Sequence, residues 1–350
     1  MKKILIFSDE YLGKGGGAGV VADQLFNDFK RQGDECYLLT YKSIPSWVPS
    51  FFWIIYYPVL LVIQYFRTRY DLIVCNDPKA IYTLGLLNRL GFKFNYKCIM
   101  HGSEYRIFSE CISFVNRIVL FKYFFQISIN KAMEVIFVSK CVKKQSQNSF
   151  DITNKNLKVV YAGVELAIFT PPEKINTPES KNKIILTVAR VIKGKGHFEF
   201  LEEFKKVLSN DSSFRWHVVG DGMDLDLLKS AVQTAGLEEF VIFHGKVNRV
   251  DIIKLYRNSY VFVLLTKLKE AFGLVFIEAN SQGCAVIGPN KHGVKEAIEN
   301  GVNGYLVDNL NCVSGLILDK SKISSITPEA CIKHSQKFCS SKFALEVKEL

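Results

Sequence analysis

What constrains this chain most is an alternation that runs along its whole length. Short continuous apolar runs are separated by longer amphipathic stretches. In the first half the runs are KILIFS, ECYLLT, YDLIVCN, YKCIMHG, EVIFVS and LKVVYA; in the second they are IILTVAR, RWHVVG, VIFHGK, YVFVLL and CAVIGP. A strand that is apolar at consecutive positions must bury both of its faces, which is the situation of a parallel sheet covered by helices on either side. The helices come from the stretches between, such as AGVVADQLFNDFKRQ at 18–32 and the segment 79–90. The chain has 350 residues, more than the roughly 250–300 at which a single core stops growing. The segment TPPEKINTPESKNK at 170–183 is rich in Pro, Lys and Asn and has no periodicity, so it reads as a linker. The predicted fold class is therefore α/β: two doubly wound, Rossmann-like parallel-sheet domains facing across a cleft. The first spans 1–165, the linker 166–183 and the second domain 184–335. In such sheets ligands bind beyond the carboxyl ends of the strands, so functional residues are expected just after strands.

Cysteine and charge narrow the class further. The nine Cys at 36, 75, 98, 111, 141, 284, 312, 331 and 339 are odd in number and include no C-x-x-C pair. That argues against a disulfide framework or zinc ribbon and for free, mostly buried thiols in a reducing cytoplasm. The opening MKKILIFS has only a short apolar run, so no signal peptide is expected. Net charge is +11 and uneven: residues 1–165 carry 21 Lys and Arg against 13 Asp and Glu, residues 166–350 carry 24 against 21. A basic first half suits anionic partners such as nucleic acid, acidic lipid or phosphorylated substrates. Nucleic acid is the least favoured, because the basic residues do not interleave with aromatics on one predicted strand surface and no nucleic-acid motif occurs.

Several strand ends carry candidate chemistry. Gly15, Gly16 and Gly17 precede the helix at 18–32, where close backbone approach and a helix N-terminus favour an anion. The strict G-x-G-x-x-G spacing is absent, and Thr40 rather than an acidic residue closes the second strand, so NAD is not expected. His101, in H-G-S-E, follows the strand YKCIM and is placed to donate a hydrogen bond into the cleft. Arg190 ends IILTVAR and Lys195 lies in V-I-K-G-K-G before a helix starting near His197; together they form a diphosphate clamp, with Lys193 solvated. Gly220, Asp221 and Gly222 permit a tight turn after RWHVV. The most specific segment is E-A-F-G-L-V-F-I-E from Glu270 to Glu278. Its helix begins near Gly273, so backbone N–H groups of Phe272, Gly273 and Leu274 would point at a phosphate. Glu270 would reach a ligand outside the helix end, and Glu278, a turn inside, would accept from a ribose diol. A flexible glycine turn, a packed histidine, solvated surface cations and capping glutamates are the plainer readings of the same residues.

The ordered set of motifs resembles a retaining family-4 glycosyltransferase of the GT-B fold. It runs almost end to end: Gly16-Gly17, H-G-S-E, V-S-K at 138–140, A-G-V-E at 162–165, V-A-R-V-I-K-G-K-G, V-V-G-D-G, E-x7-E, H-G-V-K-E at 292–296 and N-G-Y-L-V-D at 303–308. The resemblance implies that Arg190 and Lys195 bind the donor diphosphate, Glu270 the hexose hydroxyls and Glu278 the ribose. It implies that Phe272, Gly273 and Leu274 contact sugar and phosphate through backbone, that His101 faces the donor sugar and that Gly17 leaves room for phosphate and acceptor; the turn at Gly220 is expected, from its place after RWHVV, to be structural and to touch the ligand. It also implies that a short last helix over 336–350 returns to the first domain. Ala271, His292 and Ala162 stand where the family commonly has Gly, Gly and Asn.

The expected mechanism follows. No D-x-D sits at a strand end, so no metal and no cofactor beyond the nucleotide-sugar co-substrate are expected, and the cations must neutralise the leaving diphosphate. No carboxylate nucleophile is evident, which fits front-face transfer with retention. The expected donor is a UDP- or GDP-sugar carrying a hexose or N-acetylhexosamine, and the expected acceptor a glycan or lipid-linked molecule of surface polysaccharide such as lipopolysaccharide. A nucleotide-sugar epimerase or phosphorylase on the same architecture, or a non-catalytic basic binding protein, are the alternatives.

One more stretch is distinctive. Ten of the thirty residues from 41 to 70 are aromatic, but the apolar run from Phe51 to Ile63 contains Pro58 and is shorter than the about 20 residues that span a bilayer. With Arg67 and Arg69 beside it, this run suits an anionic membrane interface through Trp47, Phe51, Phe52 and Trp53, with IVLFKYFFQ at 118–126 as a second basic-aromatic stretch. Packing in the core is the other reading. Peripheral attachment at the cytoplasmic face of the cell membrane is the expectation.

Overall fold

The computed structural model describes residues 1–11, 16–102, 104, 117, 119–166, 168–172 and 182–349. Gly15, Ser103, Cys111, Ile118 and most of the expected linker, 173–181, lie outside the described residues. The chain forms two compact units, Met1–Ala162 with Ser340–Leu350, and Gly163–Cys339.

The first unit is a six-stranded parallel sheet built from β1 (Lys3–Phe7), β2 (Glu35–Leu39), β3 (Leu72–Cys75), β4 (Tyr96–Met100), β5 (Glu134–Phe137) and β6 (Leu157–Val159), in the order β2-β1-β3-β4-β5-β6. Its helices are α1 (Gly17–Arg31), α2 (Trp53–Thr68), α3 (Pro78–Arg89), α4 (Phe121–Lys131) and α5 (Lys140–Ser149). All six runs seen in the sequence are strands, and the central β1, β3 and β4 are buried almost throughout, as strands covered on both faces must be. Helix starts follow local chemistry. Asp77 caps α3 by accepting from Lys79 N–H and Ala80 N–H, with Pro78 at the first position, where its missing N–H costs nothing. Ser139 caps α5 by accepting from Val142 N–H. Helices α3 and α4 touch at Gly85: a Cβ there would lie 1.7 Å from the Phe124 carbonyl oxygen.

The second unit repeats the architecture with β7 (Asn182–Val188), β8 (Arg215–Val219), β9 (Val241–Gly245), β10 (Ser259–Val263), β11 (Ala285–Pro289) and β12 (Gly304–Val307), in the order β12-β11-β10-β7-β8-β9, all parallel. Between them run α6 (His197–Asn210), α7 (Leu225–Thr234), α8 (Arg249–Asn258) and α9 (Leu274–Ser281). The sequence pattern shows only five of these strands. β12 is the edge strand Gly-Tyr-Leu-Val, half-buried at its centre, so it lacks the continuous apolar signature of a doubly covered strand. The core centres on Trp216, whose ring meets Phe200 at 5.1 Å and Phe204 at 5.9 Å and whose indole N–H donates to Thr187 at 3.0 Å. A buried indole stays satisfied that way. The last helix, α10 (Ser340–Lys348), belongs to the first unit, where Ser341 hydroxyl donates to Asp28 at 2.9 Å and Lys348 pairs with Asp34.

Two expectations need correction. Of the described cysteines, Cys75, Cys98, Cys284 and Cys331 are buried, but Cys36, Cys141 and Cys339 are partly exposed and Cys312 is exposed. Trp53 is not an outward anchor. It packs edge-on to Tyr82 at 5.2 Å and Phe121 at 6.2 Å, because it begins α2 on the side that carries buried Tyr57, Pro58 and Leu61. No helix among the described residues is long and apolar enough to cross a membrane.

Candidate active site

In the second unit, the loops after β7, β8 and β10 converge. Arg190 lies two residues past β7, its side chain exposed to solvent. The turn after β8 lies against the same loop: Gly220 has φ +135°, and a Cβ there would lie 2.0 Å from the Ala189 carbonyl oxygen. Only glycine combines that conformation with that approach. Gly194 and Gly196, at φ +85° and +94°, bend the following loop so that Lys195 turns toward β10. There its Nζ donates to Glu270 Oε1 at 2.6 Å, and the Thr266 hydroxyl donates to the same oxygen at 3.2 Å. The pair is mostly shielded, with side-chain exposures of 17% and 18%. Lys193 is exposed, as its place in the loop suggested.

Beyond Glu270 the chain enters α9. Its N-cap is Gly273, in the left-handed region at φ +99°, with no side chain bonded to the helix end. The first turn therefore keeps backbone donors for an anion. Phe272 is buried and turns its ring inward, 5.0 Å from that of Phe338, so its side chain is not presented to a ligand. Leu274 opens the helix and is half-buried. Glu278 lies one turn in. Its Oε2 accepts from the buried Tyr256 hydroxyl at 3.1 Å, and burial raises its carboxyl above the usual range, opposed by that bond and by Arg249. Behind the loop, a Cβ on Gly293 would lie 2.0 Å from the Ala271 carbonyl oxygen. The neighbouring His292 holds φ +51°, the conformation for which glycine at that position is suited.

In the first unit, Gly16 caps α1 and Gly17 begins it. Both are exposed, and a methyl group added to either would meet nothing within 4 Å. Gly16 N–H donates to Glu10 at 3.1 Å. His101 directly follows β4. Its Nε2 lies 2.9 Å from Asn76 Oδ1, and its backbone N–H donates to the buried Glu104 at 2.8 Å. Burial pushes Glu104 up to about 7 and His101 down to about 4. So the structure places Arg190, Lys195, Gly220, Glu270, Phe272, Gly273, Leu274 and Glu278 at one sheet edge. It places Gly16, Gly17 and His101 at the corresponding edge of the other sheet. Sequence reading missed Thr266, Tyr256 and Asn76. Thr266 had a signal, since it closes the strand run YVFVLLT; Tyr256 had none, being an ordinary aromatic in an amphipathic helix.

His197 gives a test of the loop's electrostatics. It is wholly buried at the start of α6, and neither ring nitrogen has a partner. Burial, and then Lys195, hold it down to about 4, with Glu199 opposing. The unfolded chain therefore binds a proton that the folded one refuses between about pH 6.5 and 4, and stability is lost as pH falls through that window. Replacing His197 with Leu removes this uptake. Urea melts should show the variant gaining about 2 kcal/mol on the wild type between pH 7 and pH 5. A pH-independent difference would mean that the ring is solvated.

Two units, each a six-stranded parallel sheet with helices between its strands, have the GT-B architecture. The Glycosyltransferase Family 4 model matches residues 15–168 and the Glycosyl transferases group 1 model matches residues 171–312; the chain belongs to this glycosyltransferase family. It is 24% identical over 320 residues to N-acetyl-alpha-D-glucosaminyl L-malate synthase of Bacillus anthracis, covering 84% of this chain and 81% of that one. It is 30% identical over 190 residues to the uncharacterized glycosyltransferase MJ1607 of Methanocaldococcus jannaschii, spanning 52% of this chain and about half, 48%, of that relative's length. Its fold is shared with the crystal structure of Anabaena Alr3699/HepE in complex with UDP-glucose, at TM-score 0.77 and 19% identity over 99% of this chain and 98% of that one.

Proposed function

We propose that the chain transfers a hexose or N-acetylhexosamine from a UDP- or GDP-sugar to a glycan or lipid-linked acceptor in surface polysaccharide biosynthesis. The configuration at the anomeric carbon is retained and no metal takes part. The observation that carries this reading is the Lys195–Glu270 pair, 2.6 Å apart beside the uncapped end of α9. A cation for the leaving diphosphate and a carboxylate for sugar hydroxyls stand side by side there. Arg190 and Lys195 take up the charge that develops as the bond from anomeric carbon to diphosphate breaks. The acceptor hydroxyl forms the new bond on the face the diphosphate leaves, and a diphosphate oxygen takes its proton. Glu270 holds sugar hydroxyls and Glu278, anchored by Tyr256, holds the ribose. The names of the relatives support a nucleotide-sugar donor: one makes an N-acetylglucosaminyl product and the Anabaena structure contains UDP-glucose.

Mass spectrometry of a UDP- and GDP-sugar panel tests the reading. Turnover of one nucleotide class should persist in excess EDTA, and Glu278→Gln should weaken free nucleoside diphosphate binding about tenfold, as loss of a hydrogen bond to a charged group does. Absence of turnover with every sugar and acceptor sinks it. Free epimerised donor, formed without acceptor, favours the epimerase instead.

We propose peripheral attachment at the cytoplasmic face of the membrane, and a specific observation supports the attachment itself. Along α2, Ile55, Val59, Ile63 and Phe66 are 57%, 51%, 44% and 66% exposed, at the spacing of one helical face. Trp47 and Phe51 extend the apolar surface before the helix, and exposed Arg67 and Arg69 follow it. Vesicle flotation should show two components. The cationic one, worth about 1 kcal/mol per basic residue near the surface, falls with salt; the apolar one survives it. Replacing Ile55, Val59, Ile63 and Phe66 with Gln, a good helix former, should remove the salt-resistant component and spare transfer to a soluble acceptor. A wild-type protein that never floats with anionic vesicles refutes the attachment.

A further inference from the structure

The loop after β11 is unusual at His292. This residue holds φ +51°, a conformation that glycine adopts freely and that is costly for a residue with a Cβ. The backbone beside it is pinned. Gly293 N–H donates to the Glu270 carbonyl at 3.0 Å, and a Cβ on Gly293 would lie 2.0 Å from the Ala271 carbonyl oxygen. The half-buried His292 is therefore held next to the segment that carries Glu270 into α9. Segments 266–273 and 290–296 together contain four lysines and two glutamates. Lys267 is paired with Glu199 at 2.8 Å, and Glu270 is engaged by Lys195 and Thr266. The exposed Lys269, Lys291 and Lys295 stand near enough to His292 to act on its charge. Burial, and then these three lysines, hold the ring below the usual imidazole range, opposed by Glu270. The surplus of positive charge is thus gathered around a neutral imidazole.

We propose that His292 with Lys269, Lys291 and Lys295 forms a second anion site, separate from the diphosphate cations, which takes the carboxylate of a donor hexuronate. This rests on the proposed nucleotide-sugar reading and narrows its sugar. The diphosphate is already provided for by Arg190, Lys195 and the uncapped end of α9, so it does not account for three further lysines. Hydroxyls of a neutral hexose gain little from ammonium groups that water hydrates well. A carboxylate has two acceptor oxygens: one can take the hydrogen of the imidazole N–H, and the lysines supply the charge. The same charge offsets the repulsion that a carboxylate would meet from Glu270. The donor is favoured over the acceptor as the source of the anion because every residue involved lies in the two loops around Glu270, within one unit.

Calorimetry on the full chain without acceptor tests the site, using UDP, UDP-glucose and UDP-glucuronate beside GDP, GDP-mannose and GDP-mannuronate. With the base that binds, the hexuronate should bind about tenfold tighter than the neutral hexose, the scale of a hydrogen bond to a charged group. Equal affinities overturn the site. His292→Gly is the sharper arm, because a neutral ring takes no charge away with it and glycine suits the backbone there. It should cut the preference for hexuronate about fivefold, leave free nucleoside diphosphate affinity within about twofold and keep the urea midpoint at or above that of the wild type. An unchanged preference in this variant overturns the role of the imidazole. Lys291→Gln/Lys295→Gln should lower the preference as well, and a preference that survives it overturns the role of the lysines. If hexuronate and hexose bind alike while turnover on an acidic acceptor falls in the lysine variant, the anion belongs to the acceptor and the donor assignment is wrong. If neither UDP nor GDP binds, the nucleotide-sugar reading fails and the site falls with it; nucleotide binding without a preference between sugars overturns the site alone.

Discussion

Lys195→Ala should lower kcat/KM for sugar transfer by about 10² to 10³, the scale for removing a preorganised group that meets developing charge, and by more than Arg190→Ala. Both lose a cation from the proposed diphosphate site, but their surroundings differ. The Arg190 side chain stands in solvent, where screening weakens it and water can substitute. Lys195 is mostly shielded and bonded to Glu270 at 2.6 Å. Removing it leaves Glu270 as an uncompensated negative charge beside the incoming diphosphate, so the loss is double. The double variant Lys195→Ala/Glu270→Gln should therefore bind free nucleoside diphosphate more tightly than Lys195→Ala does, although it remains poor in turnover. Calorimetry for binding and steady-state kinetics for transfer separate the two effects. Activity within threefold of wild type in Lys195→Ala would remove the lysine from the mechanism.

Gly196→Ala should be among the most damaging single methyl groups in the second unit. The residue has φ +94°, and an ideal Cβ would lie 2.3 Å from the Leu265 carbonyl carbon and 2.4 Å from its oxygen. These are backbone atoms just past the central strand β10, where no rotamer change gives relief. The conformation alone costs about 1–2 kcal/mol for a residue with a Cβ. With the clash, a total of about 3 kcal/mol or more is expected, in the range reserved for strain and overpacking. If the unit stays folded, the loop must move away from β10 and carry Lys195 off Glu270, so transfer should fall with stability. Gly33→Ala is the control: it has φ +82° but open space around its Cβ, and it should show the conformational cost alone with activity kept. Urea midpoints for both variants make the comparison; a Gly196→Ala protein as stable as Gly33→Ala would mean the loop is not seated on Leu265.

The sequence by itself determined the elements whose signal is local. A buried parallel strand must be apolar at successive positions, and eleven of the twelve strands among the described residues announced themselves in that way. The glycine at 220 marked a sharp turn, because its backbone angle disfavours other residues. The glutamates at 270 and 278 were visible through their fixed spacing around a helix start. The edge strand Gly304–Val307 was not visible, because a half-buried edge need not be continuously apolar. Neither was the division of α2, whose sequence is apolar nearly all round. Only its packing decides that Trp53, Tyr57 and Leu61 turn inward while Ile55, Val59, Ile63 and Phe66 face out. The partners of the site side chains were also out of reach. Tyr256 meets Glu278 across 22 residues, Lys195 meets Glu270 across 75 and Asn76 meets His101 across 25. A hydrogen bond has no signature along the chain when its two ends are brought together by different strands and helices, so only the tertiary structure decides which atom of each side chain is engaged and which remains for a ligand.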